Sequence, residues 1–282
     1  MTRFFISSLN LLGFALSFGL SSNVLANCDR VADEQNAAAA LATPSARADA
    51  YRQLVGRCPQ FNTHYNAGRA ILSAGDPAGA IVQFKAARSV AGDSKAKAAA
   101  AMRLAEAELE AGRLPEAMAA LAAARQDAGD ALPPWALDIA KRVDSHPGRE
   151  RVSAADIAAI MGSSRSYGVR PRVDLRIGFD YDKDTLDVQG RAQVAELAKL
   201  LASMPAGTQF RFIGHSDARG DASYNQNLSE RRAQSVRRAL IDSSPDWASR
   251  LQAEGRGKRE LLYPGDSEDD HRLNRRVEIV QE

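Results

Sequence analysis

The spacing of hydrophobic positions divides this chain into three. After an apolar run over 4–20, residues 29–146 are alanine-rich and repeat their apolar side chains at three- and four-residue steps, the period of a helix. From Val173 the period drops to two: Val173, Leu175, Ile177 and Phe179 alternate with polar or small residues, as in a half-buried strand. A helix is predicted next over about 186–204, with Val194, Leu197, Leu201 and Met204 on one face. Residues 208–213 read as a second strand, with Phe210 and Phe212 two apart. Asn225, Ser229, Ala233, Val236 and Leu240 then lay out another helix, and short strands are predicted near 251–255 and 277–279. The pattern predicts a multidomain chain: all-α over 27–146, then an α/β sandwich over 173–282, a mixed sheet with helices on one face.

Within the helical part, turns at 73–77 (SAGDP) and 110–115 (EAGRLP) each precede a small–large–small triad: Ala80, Phe84, Ala87, and Ala117, Leu121, Ala124. The offset between the triads is about one tetratricopeptide unit plus a few residues, and the segment resembles tetratricopeptide helical hairpins. Such arrays present a groove to a protein partner; a helical spacer without a ligand fits the same pattern. Residues 145–148 (SHPG) break the helical period, and Ser153 caps a short helix over 154–161. Residues 162–172, rich in Gly, Ser and Arg, read as a linker, or as a loop packed across the next domain, so 147–172 is a short helix and linker.

Length and charge narrow the classes. At 282 residues there is room for two cores, and 37 basic against 35 acidic residues argue against a nucleic-acid binder. Arg3, the apolar run and Val24-Leu25-Ala26 form a secretory signal over 1–26, to be excluded from the fold. No later stretch approaches the roughly 20 apolar residues that span a bilayer, so no transmembrane segment is expected after cleavage. Cys28 lies where a lipoprotein signal would place its acylated cysteine, but Asn27 departs from that pattern. In an oxidising compartment a Cys28–Cys58 disulfide is the simpler account. Two cysteines and four scattered histidines offer no metal cluster, and no cofactor is implied.

The chemistry concentrates in 214–233, GHSDARGDASYNQNLSERRA. Along an extended strand end His215 and Asp217 share one face and Ser216 takes the other. On the helix, at about 100° per residue, Arg232 falls at the flank of the apolar stripe and Arg231 near the opposite, solvated face. A carboxylate and a guanidinium held apart suit a zwitterion, Asp217 taking an ammonium and Arg232 a carboxylate. On spacing alone, an Asp turn with a surface Arg–Asp ion pair is the commoner outcome. His215-Ser216-Asp217 contains the residue types of a hydrolytic triad, but adjacency along a strand separates Ser216 from His215, and no Gly-x-Ser-x-Gly elbow is present. No catalytic residue is therefore assigned. Residues 266–270 (DSEDD) lack calcium-loop spacing and read as a solvated insertion.

GHSDxxG followed by YNxxLSxRRA and by NRRVE (274–278) closely resembles the OmpA-like peptidoglycan-binding domain, nearest to its peptidoglycan-associated lipoprotein type, over about 173–282. The resemblance implies that Asp217 and Arg232 hold the free amino-acid end of meso-diaminopimelate in a peptidoglycan stem peptide. Asn225, Ser216 and the Arg275–Arg276 pair then belong to the same site as supporting positions. FDYDK (179–183) resembles the lipoprotein type at the loop bordering the site, which makes Asp182 a contact and Asp180 a weaker one. The implied function is a non-catalytic periplasmic, cell-wall-associated protein that binds peptidoglycan and docks a protein partner on its helices. The alternative is a wall-anchored component of a larger envelope machine, or a peptidoglycan-processing enzyme.

Overall fold

Helices fill the first half of the chain. The computed structural model describes residue 28 and residues 30–129, 132–180 and 182–282; the expected signal over 1–26, and Asn27 after it, lie outside these. The helices are α1 (Val31–Ala39), α2 (Pro44–Arg57), α3 (Phe61–Ser73), α4 (Pro77–Ser89), α5 (Ser94–Glu110), α6 (Leu114–Ala128) and α7 (Pro134–Asp144). Their starts have local causes. Thr43, Asp76 and Asp93 each accept a hydrogen bond from a first-turn N–H, and proline opens α2 and α4. From α2 to α6 each helix packs on the next, with Ala80, Ala87, Ala117 and Ala124 fully buried around Phe84 and Leu121. A disulfide joins Cys28, ahead of α1, to Cys58 at the end of α2, with Cα atoms 5.5 Å apart.

The first part of the expected linker, 162–166, is helix. Helix α8 (Ala154–Ser166) is capped by Ser153 and runs through Gly162 to Ser166 before the chain turns at Tyr167-Gly168. Gly and Ser are weak helix formers, which is why the sequence stops this helix early. Burial of Ile157, Ile160 and Met161 against α6 overrides that propensity, and Ser164 Oγ donates to Ile160 O at 2.9 Å.

Four strands follow: β1 (Arg172–Leu175), β2 (Phe210–His215), β3 (Leu251–Gly257) and β4 (Val277–Gln281). They form one mixed sheet in the order β1-β4-β2-β3, with β2 and β3 parallel and the other pairings antiparallel. β1 is shorter than its alternation predicts, because its ladder with β4 ends at the Leu175–Val277 pair, where β4 begins. Helix α9 (Val188–Ser203) packs on α10 (Ala222–Ser243), and α10 lies along β2 and β3. The expected insertion is solvated over 266–269, and within it Ser267 and Asp270 form a capping box at the start of α11 (Glu268–Asn274).

Helices and sheet share one hydrophobic core, in which Phe84 and Leu121 belong to the same cluster as Phe210 and Val236. Buried charges cross the same boundary. Arg125 on α6 binds Asp144 at 2.5 Å and approaches Asp174 on β1 at 3.6 Å; Arg149 pairs with Asp144 and donates to Asp174 O at 2.6 Å. From the far side Arg276 Nε donates to Asp174 at 3.0 Å and the Tyr263 hydroxyl to Asp144 at 2.7 Å. Burial works against ionising Asp144 and Asp174, but the surrounding arginines outweigh it and hold both carboxyls below the ordinary range.

Candidate functional site

The site is built where β2 ends and α10 begins. Gly214 is required by close approach: a Cβ there would meet Ser229 O of α10 at 2.1 Å. Gly220 is required by its backbone, at φ +80°. Together they let the chain leave the sheet, turn, and start a helix capped by Asp221, which accepts from the Ser223 and Tyr224 N–H groups.

Asp217 sits in this turn and is 8% exposed. Its carboxylate accepts hydrogen bonds from Arg219 N (3.1 Å), Arg219 Nη2 (2.7 Å) and Arg275 Nη1 (2.6 Å). Burial raises the cost of its charge, yet the bonds from Arg219 and Arg275 prevail and keep its pKa below the usual carboxylate value. Ser216 and Asn225 shape the turn. Ser216 N donates to Gly257 O and its Oγ to Asp217 O at 3.2 Å, while Asn225 Nδ2 donates to Arg219 O at 2.6 Å.

Arg232 lies one helix turn beyond Ser229. Its guanidinium rests 5.1 Å from the centroid of the Phe179 ring, and its Nε donates to Lys183 O at 3.0 Å. Among the described residues it makes no ion pair, and its terminal nitrogens make no hydrogen bond. Burial, followed by the charge of Arg275, depresses its pKa, though a guanidinium remains protonated. Asp182 borders the same region, at φ +57°, and accepts from the Tyr224 hydroxyl.

Arg232, Phe179, His215, Arg275 and Arg276 line a cleft of about 410 Å³. Arg275 touches Asp217 and bears electrostatically on Arg232, so the two ends of the proposed zwitterion site share one neighbour. Arg276 is turned inward: it binds Asp174, Asn274 O and Glu260 O, and is 5% exposed. Asn274 is structural as well, closing the 262–274 loop through Leu262 N, Tyr263 N and Tyr263 O.

Several contributors are absent from the sequence reading. Arg219 holds Asp217 from two positions away, a spacing that would have suggested it. The Phe179 ring under Arg232 opens the FDYDK motif but was read only as a strand position, and Arg176 and Arg272 in the cleft wall are brought in from distant segments with no motif of their own. His215 is fully buried, 3.5 Å from Glu278, with burial and then Arg276 lowering its pKa. Ligand atoms of His215, Glu260 and Glu278 lie within 4.8 Å of one another. Arg172 and Arg256 already neutralise the two carboxylates at 2.7 Å, so this set does not fit a divalent cation.

Residues 178–275 match the model of the OmpA family and form an OmpA-family domain. Outer membrane porin F of Pseudomonas fluorescens is 36% identical over 111 residues, which is 39% of this chain and 33% of the porin. Outer-membrane lipoprotein YfiB of Pseudomonas aeruginosa is 28% identical over 137 residues, 48% of this chain and 80% of that protein. The chain thus spans about a third of the length of porin F. Among solved structures, the cell wall anchor of the T6SS from Pseudomonas aeruginosa is 32% identical over 39% of this chain and 80% of that one, with a TM-score of 0.36. The chain is envelope-associated, and no helix among the described residues is long and apolar enough to cross a membrane.

Proposed function

We propose that the chain is a non-catalytic wall-binding protein of the periplasm, whose 173–282 domain takes the diaminopimelate of peptidoglycan stem peptides. The observation that carries this reading is Arg232: a half-buried guanidinium, seated on an aromatic ring, with its terminal nitrogens unspent in a cleft. A carboxylate is the ligand that such a fork accepts by two parallel bonds. Asp217 supplies the matching end. In the free protein its anionic oxygen is covered by Arg219, whose side chain is 52% exposed and also reaches Glu268 at 3.0 Å. A ligand ammonium can therefore replace Arg219 on Asp217 while Arg219 keeps a partner in Glu268.

The wall-anchor structure and the outer-membrane relatives named above favour an anchoring role for this chain too. In the same reading residues 27–146 dock a protein partner; Val82 and Val90, 62% and 47% exposed in and just after α4, are the apolar positions such a partner would cover. Co-sedimentation with purified diaminopimelate-type sacculi tests the site. The wild-type chain should pellet, and Asp217→Ala should stay in the supernatant while melting as a folded protein. Full binding by that variant would refute the assignment.

A further inference from the structure

Arginine is in excess along the cleft. Its walls carry Arg176, Arg232, Arg272, Arg275 and Arg276 against Glu150 and Asp187. Arg276 is committed to Asp174 and two carbonyls, Arg275 to Asp217 and Glu268, and the Asp187 carboxylate caps α9 through Gly190 N. With Arg232 assigned to one ligand carboxylate, Arg176 and Arg272 remain.

Both are poised rather than satisfied. Arg176 Nη2 donates to Asp144 O (3.1 Å) and His146 O (3.2 Å), so the end of α7 aims it. Its Nε is buried with no hydrogen-bond partner among the described residues. Among the described residues Arg272 pairs only with Asp269, one turn earlier on its own helix at 3.2 Å, and those side chains are 39% and 72% exposed. Such a pair contributes little and is easily exchanged. Burial, then the charges of Arg149 and Arg272, depress the pKa of Arg176, which places the two guanidiniums within each other's field.

We propose that Arg176 and Arg272 form a second anion subsite in this cleft, taking the carboxylate of the acidic residue that precedes diaminopimelate in the stem peptide. The inference rests on the wall-binding reading above. Two like charges whose neighbouring acids, Asp269 and Glu150, are both exposed gain from a bound carboxylate that both can reach. Arg176 also lies outside 178–275 and is held by carbonyls of the helical unit, so the two units jointly build this part of the site.

Isothermal titration of the full chain tests this, using L-alanyl-γ-D-glutamyl-diaminopimelate and the same peptide amidated at the glutamate α-carboxylate. Amidation should weaken binding to wild type by roughly three- to tenfold, the range of one partly exposed charge-assisted bond. Arg272→Ala should lose that same factor on the free acid and nothing on the amide. Arg176→Lys, which keeps the charge but not the fork, should narrow the difference between the peptides. Equal discrimination by wild type and Arg272→Ala would overturn the subsite. So would equal binding of both peptides by wild type while Arg232→Ala weakens both. If neither peptide binds and Arg232→Ala changes nothing, the wall-binding reading has failed and the subsite falls with it.

Discussion

Around Asp174 each arginine has a carboxylate partner: Arg125 and Arg149 meet Asp144, and Arg276 meets Asp174, with Tyr263 filling a remaining acceptor. A short way off, across Arg276, Arg176 and Arg232 line the cleft with no ion pair among the described residues. The two groups use the same side chain for different ends. In the first, each buried charge has its counter-charge inside the protein, so the group holds two units together and has nothing left to offer. In the second, the guanidiniums are oriented by backbone carbonyls and an aromatic ring, which fix direction without cancelling charge. Orientation without neutralisation is the property a binding site for an anion needs.

The sharpest way to break this contrast is to separate the units. A fragment over 166–282 loses Arg125, Asp144, Arg149 and most of α8, leaving Asp174 with Arg276 alone among the matched partners. The fragment's melting temperature should fall by at least about 10 °C relative to the full chain, several kcal/mol at a few degrees each for a domain of this size. Calorimetry on the fragment and the full chain checks it. An unchanged transition would make the shared core and the buried charges incidental.

A single substitution should come next. Asp174→Ala strips the counter-charge from buried Arg276 and leaves Arg125 with Asp144 alone, at a cost of about 3–5 kcal/mol in stability. The pH dependence follows in sign. Because the folded pKa of Asp174 lies below its unfolded value of about 3.9, its contribution is fully present above that value and is lost as pH falls through the folded pKa. Acid unfolding of the variant should therefore be shallower than that of wild type below about pH 4. Urea melts across that range decide the point; parallel curves would mean that Asp174 is not the linked group.

How much of this contrast was legible in the sequence depends on distance along the chain. Strand and helix order, the Cys28–Cys58 pair and the phase that separates Arg231 from Arg232 are all local patterns, and period and spacing carry them. The linker reading began too early because Gly162, Ser163 and Ser164 look like loop residues until α6 is placed against them. Asp174 was invisible for another reason. In a strand that alternates strictly, it occupies an outward position of the expected pattern, and only the folded chain brings Arg125 and Arg276, 49 residues before it and 102 after, to the same carboxylate. Arg176 was hidden likewise, since its role depends on where α7 ends.

On the cleft side the expected losses are in binding rather than folding. Arg232→Ala should weaken sacculus binding by at least tenfold, as a charge-assisted contact contributes roughly 1.5–3 kcal/mol. Arg232→Lys should fail nearly as badly, since an ammonium offers one point of charge where the guanidinium offers a fork and stacks on Phe179. Both variants should melt close to wild type. Normal binding by the lysine variant would reduce the site to a nonspecific positive field.

The smallest effect belongs to the adjacent residue. Arg231 points to solvent from the same helix and, among the described residues, comes no nearer to a carboxylate than 3.9 Å, from Asp184, with side chains 48% and 42% exposed. A pair so distant and wet is worth about 0–1 kcal/mol at most and is screened by salt. Arg231→Ala should therefore leave sacculus binding within about twofold of wild type. Because it removes the same charge as Arg232→Ala from the next position, the two variants differ in geometry and not in net charge. Measuring them together at low and at physiological salt separates recognition by an aimed guanidinium from attraction to a basic surface. If both fall together and both recover with salt, the second account is correct, and the aromatic seat under Arg232 has no part in binding.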